Sequence, residues 1–212
     1  DTLMYFSNPS MFREFVAKED ICQAWKIHRG YMNARGKSIE GKNYTKYFRN
    51  LFSEKGFFRR KVSVAEIVSW LDNISLMIRI LNELELYVSP DVFKEITIML
   101  EYRIHLSKNM RVDFVLRYRD NIVLLEQRTV SDFEKIRATW QKKISECLVY
   151  KELMSYYMPN YYIVLYAMIM MYEYDNNKPV QKNIDYNNNQ VSYFVEYLLS
   201  YFFIDKSVIK SQ

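Results

Sequence analysis

Two strand-like runs that have no room to avoid each other constrain this chain most. Arg111 to Tyr118 and Ile122 to Val130 are rich in aliphatic and aromatic β-formers, and only Arg119-Asp120-Asn121 parts them. So short a connection makes the two runs pair antiparallel. A third run, Thr97 to Leu106, precedes them across the turn Ser107-Lys108-Asn109-Met110. Together they predict an antiparallel meander.

Helical patterns surround the meander. Ser63-Val-Ala-Glu66 matches a capping box, and Ile67, Leu71, Ile74, Ile78 and Leu81 then recur at spacings of four and three along one face. Ser89-Pro90-Asp91 closes that helix and opens a short turn or helix. Beyond the meander, Phe133, Ile136, Trp140, Ile144, Cys147, Leu148 and Met154 form one apolar stripe of a helix from Asp132 to about Tyr157. That stripe makes core packing the expected use of Trp140, with stacking on a nucleic-acid base the alternative. Pro159-Asn160 stops the helix, Tyr161 to Met171 reads as a buried strand, and Val191 to Phe203 as a closing apolar helix. Met11 to Val16, Ile21 to His28 and Tyr44 to Phe52 read as short helices, punctuated by Gly30, Gly36, Gly41 and Gly56. The order predicts an α/β fold: a central mixed sheet, an antiparallel meander plus a crossover strand, flanked by helices. Residues 1–62 are expected as a helical N-terminal extension packed on a core spanning 63–212.

Composition narrows the class. Half of the residues are hydrophobic and 26% charged, as in soluble globular proteins. Cys22 and Cys147 lie far apart, and with only His28 and His105 beside them a zinc cage lacks ligands. A reduced, cytoplasmic setting is the expectation. Asp1 to Ser10 lacks the basic and apolar regions of a signal peptide. The apolar stretch Tyr161 to Tyr172 falls short of the roughly 20 residues a spanning helix needs, so no membrane partner is expected. The formal charge of +5 tilts weakly toward an anionic partner.

Within the meander, two carboxylates interrupt aliphatic runs. Alternation puts Asp113 on one face with Arg111 and Val115, and Glu126 on one face with Ile122, Leu124 and Arg128. A carboxylate ending an aliphatic run is costly unless it is paired, solvated or metal-bound. On adjacent strands Asp113 and Glu126 can share one Mg²⁺ or Mn²⁺, with Arg128 beside the phosphate and attacking water. The plainer alternative is that Asp113 pairs with Arg111 or Arg128 across the sheet.

The segment Arg111-Val-Asp-Phe-Val-Leu, a turn, then Ile122-Val-Leu-Leu-Glu-Gln-Arg resembles the signature of the PD-(D/E)XK, or restriction-endonuclease-like, nuclease superfamily. Cys147-Leu-Val-Tyr150 resembles the Gln-x-x-x-Tyr motif of its RecB-like members. Ala65 to Trp70, Leu100 to Ile104 and Lys108 to Phe114 resemble the nuclease-like domain of certain Schlafen-like superfamily 1 helicases. The resemblance implies a Mg²⁺- or Mn²⁺-dependent deoxyribonuclease acting in DNA processing or defence, with RNA a second substrate class and a helicase as partner or fused domain. It assigns Asp113 and Glu126 to the metal and Glu66 as a third acid, with the Gln127 carbonyl completing coordination. Glu101 rivals Glu66 for that place. Arg128 stands where the superfamily has Lys, and Cys147 where it has Gln. Arg keeps the charge but cannot lose its proton, so a catalytically silent module that binds nucleic acid or protein is the alternative. Lys108, Arg111, Lys142, Lys143 and Tyr150 are the expected nucleic-acid contacts, and the Met- and Tyr-rich C-terminal region is a candidate homodimer face.

Overall fold

The computed structural model describes residues 2–18, 39–55, 62–104, 110–130, 133–171, 174–175, 178–179, 183–203 and 210. Its centre is a five-stranded open sheet in spatial order β1-β2-β3-β4-β5, with β1 Thr2–Phe6, β2 Thr97–Arg103, β3 Arg111–Tyr118, β4 Asn121–Val130 and β5 Tyr162–Met171. The first four strands pair antiparallel, and β5 pairs parallel to β4. A parallel neighbour requires a crossover, and a 22-residue helix, Ile136–Tyr157, supplies it after a 3₁₀ turn, Phe133–Lys135. The meander and crossover strand therefore follow the expected pattern. β2 ends at Arg103, and the expected turn through Lys108 lies outside the described residues.

In chain order the remaining helices are α1 Pro9–Lys18, α2 Asn43–Lys55, α3 Val64–Leu84, α4 Pro90–Phe93, the crossover helix α5, and α6 Asn183–Tyr197, which runs into a π turn, Leu198–Phe202. The N-terminal segment, expected to be helical, also contributes an edge strand: Met4 pairs with Leu100 and Phe6 with Ile98. The expected helix Ile21 to His28 lies outside the described residues. α6 begins at Asn183, ahead of Val191, where the closing helix was expected to start.

α3 begins as its sequence requires. Ser63 accepts from the Glu66 N–H while the Glu66 carboxylate accepts from the Ser63 N–H, both at 3.2 Å. Two otherwise orphaned donors are thereby satisfied. The helix is buried on more than the one expected stripe. Val68, Trp70, Leu76 and Met77 are buried alongside Ile67, Leu71, Ile74 and Leu81, because α1, α2 and α6 pack around it while it covers the sheet. Phe48 and Phe52 of α2 lie 5.6 Å and 5.2 Å from the Trp70 ring. α5 covers the opposite face with Tyr150, Leu153 and Met154, so Val115 is buried although alternation alone puts it on the polar side of β3. Three layers result, helix on sheet on helix.

Trp140 and Leu148 depart from the expected stripe: they are 45% and 53% exposed, and of α5 only Cys147 and Met154 are fully buried. Among the described residues no helix is long and apolar enough to cross a membrane.

Ser63→Ala should remove half of the capping box and lower stability by about 1 kcal/mol. Glu66→Gln, which still fills the box, should cost less. Urea midpoints of the three proteins check this.

Candidate functional site

The strand registers line up three carboxylates. The pairs Leu100 with Phe114 and Tyr102 with Val112 leave Glu101 opposite Asp113. The β3–β4 ladder, whose last pair is Phe114 with Leu125, sets Asp113 opposite Glu126 when extended by one residue. Glu126 in turn pairs with Ala167 of β5.

At this row the sheet stops alternating regularly. Ile98 and Leu100 pack on the α3 side, yet Tyr102 and Ile104 pack on the α5 side. On β3, Phe114 faces α3 while Val112 faces α5. Residues two apart on a regular strand share a face, so both strands change sides at Glu101 and Asp113. Glu101 absorbs the change with φ +53°. For a residue with a Cβ, that left-handed conformation costs on the order of 1–3 kcal/mol.

The change of face divides the row. Asp113 and Glu126 turn toward α5, where Lys143 Nζ lies 3.4 Å from Glu126 Oε2 and 3.1 Å from Glu146 Oε2. Asp113 Oδ2 accepts a 2.8 Å hydrogen bond from the Gln127 N–H, so a side chain takes the place of a ladder carbonyl. Glu101 turns toward α3, where Trp70 bonds to its carboxyl and Arg111 lies 3.1 Å away, its guanidinium over the Phe52 ring.

Burial dominates the electrostatics. Glu126 is 2% exposed, and its Oε1 has no hydrogen-bond donor. Its neighbour Asp113 is another acceptor, and a bond between the two carboxyls requires a proton on one of them. Burial first, then the Asp113 charge, hold the Glu126 carboxyl well above the usual range, while Lys143 pulls the other way. Asp113 is raised by burial, against the Gln127 N–H and Lys143. Glu101 is pushed up to about 8 by burial and then by Asp113. The ion pair with Arg111 favours its charged form but is outweighed. Burial lowers Lys143, yet Glu126 and Asp113 more than offset this and raise it, so the ammonium keeps its proton.

The other expected site residues are scattered by comparison. Arg128 is exposed, two residues beyond Glu126 on β4. Glu66 serves the α3 cap and acts on Glu101 only as a minor like charge. Gln127 sits in the ladder opposite Met168, its side chain donating to Thr129 Oγ1. Cys147 is buried and Tyr150 half-buried, both raised by burial and then by the Glu126 charge. Arg111 is committed to Glu101, Lys142 is exposed, and Lys108 lies outside the described residues. Lys143 was expected on nucleic acid. The structure puts it among the acids, because its position on α5, four residues before Cys147, faces the sheet.

Among the described residues no three His, Cys, Asp or Glu side chains form a ready metal cage. Mg²⁺, however, takes as few as one or two carboxylates and fills its shell with water. Two hard-oxygen donors, the buried Glu126 with an unsatisfied oxygen and the half-buried Asp113, fit that requirement. The chain matches no protein-family model, no curated protein and no solved structure.

Each of the three acids binds its proton more tightly in the folded chain than in the unfolded one. The folded chain therefore holds extra protons between the unfolded value of 4.5 and about 8 for Glu101, and stability falls as pH rises through that window. In EDTA, melting temperature should decline from mildly acidic to mildly alkaline pH, and Glu101→Gln should flatten the decline. Thermal scans across pH of both proteins read the difference.

Proposed function

We propose that this chain is a metal-dependent nuclease of the restriction-endonuclease-like class that hydrolyses DNA phosphodiester bonds. One observation carries the reading: two carboxylates side by side on adjacent strands, Glu126 buried and Asp113 half-buried, one Glu126 oxygen lacking a donor, with a protonated lysine at their edge. Such an arrangement is expensive as packing, and it matches what a hard cation and a phosphate require.

Asp113 and Glu126 would hold the ion. When bound, Mg²⁺ or Mn²⁺ supplies Lewis acidity toward the phosphoryl oxygens and a water of lowered pKa. The protein's own groups do the rest. Gln127 N–H fixes the orientation of Asp113 at 2.8 Å. Lys143, anchored by Glu146, places a positive charge beside the acids where phosphate charge develops. In this reading Lys143 joins Arg128 in the phosphate-stabilising role expected of Arg128, which is exposed two residues beyond Glu126 on the same strand.

A second reading has one supporting observation. Lys143 already neutralises part of the acidic pair, as it would in a silent module that binds nucleic acid without cutting it.

Cleavage of supercoiled and linear DNA with Mg²⁺ or Mn²⁺ separates the two. The nuclease reading expects metal-dependent cutting that Asp113→Ala and Glu126→Ala abolish. Lys143→Ala should lower the rate by roughly 100-fold or more, and Arg128→Ala by less. Salt-sensitive DNA binding with no cutting under either metal would establish the silent module.

A further inference from the structure

We propose that the indole of Trp140 is a stacking platform for an unpaired base, so that the site takes single-stranded DNA in preference to duplex. The proposal rests on the nuclease reading of the same site and adds the class of strand that enters it.

Trp140 stands on the inward stripe of α5. At 3.6 residues per turn, Ile136, Trp140, Lys143, Ile144 and Cys147 share an arc of about 100°. Cys147 on that arc is fully buried, and Lys143 reaches Glu126. Trp140 lies one turn toward the helix N-terminus, about 4.5 Å along the axis from Lys143. It faces the way Lys143 and Cys147 face, yet it is 45% exposed, whereas Trp70 is 2% exposed. On this arc apolar packing is complete at Cys147, partial at Ile144 and Ile136, and thinnest at Trp140. A large, part-exposed ring is left one helical turn from Lys143, the group at the edge of the acids.

The surrounding charge suits a phosphate backbone. Lys135, Arg137 and Lys142 of the same helical segment are exposed, as is Arg128 two residues beyond Glu126. Among the described residues of this stretch, Glu134 is the exposed side chain of opposite sign. An aromatic face flanked by cations binds single strands, where each base offers a free π-face; in duplex those faces are already stacked on one another. A ring held one turn from the site can seat the base beside the phosphate that the acids address. That sets where along the strand the reaction falls without reading its sequence.

The test is the affinity of a labelled oligothymidine, about 16 nucleotides long, and of a closed hairpin duplex. Both are measured by fluorescence anisotropy in EDTA, so nothing is cut. Wild type should bind the single strand more tightly. Trp140→Ala should weaken it by about 10-fold or more while leaving the duplex nearly unchanged, and Trp140→Phe should retain most of the affinity. An equal loss on both substrates, or no loss on either, overturns the stacking role and leaves the nuclease reading standing. Absence of binding to either substrate by wild type overturns both.

Discussion

Burying acid inside a sheet is the constraint on which the rest of this structure turns. Glu101, Asp113 and Glu126 occupy one row across three adjacent strands, where aliphatic side chains would pack at no electrostatic cost. Their mutual repulsion and lost hydration weaken the fold as carboxylates ionise. The surroundings answer one acid at a time. Arg111 and Trp70 meet Glu101, the Gln127 N–H meets Asp113, and Lys143 meets one oxygen of Glu126. The second Glu126 oxygen is left over, and it is the natural place for a cation or a proton.

Topology explains why this row is reachable. β4 and β5 run parallel, so the chain leaves β4 near the carboxylates, returns along α5 and enters β5 at the opposite end. The first turns of α5 therefore lie over the end of the sheet that carries the acids. Open α/β sheets place ligand sites at the carboxyl ends of parallel strands for the same reason. The left-handed Glu101 backbone accompanies a crossing that buries Ile104 and Val112 under α5, with Tyr102 partly buried beside them.

Local chemistry was legible in the sequence, and distant partnerships were not. The turn Arg119-Asp120 and the Ser63–Glu66 capping box are written in neighbouring residues, so the β3–β4 hairpin and the start of α3 could be read directly. The Asp113–Glu126 pairing followed from that hairpin. β1 could not be read this way: it is five residues long, and its partner lies more than ninety residues downstream. Periodicity gave the stripe of α5 but not how far the packing beneath it extends, which is why core packing outranked base stacking as the expected use of Trp140. Lys143 meets Glu126 across a helix–sheet contact, which no spacing of residues encodes. Nothing about a glutamate announces a positive φ, so the bend at Glu101 could not be read from neighbouring residues.

The central claim is that Asp113 and Glu126 form a cation site. Calorimetric titration of Mn²⁺ into the metal-free chain, in two buffers of different ionisation enthalpy, tests it most directly. The account predicts saturable binding with buffer-dependent heat, since the acids give up a proton as the ion enters. Glu126→Gln and Asp113→Asn should abolish that binding without unfolding the chain. A wild type that takes up no Mn²⁺, or a Glu126→Gln protein that binds it equally well, would contradict the account.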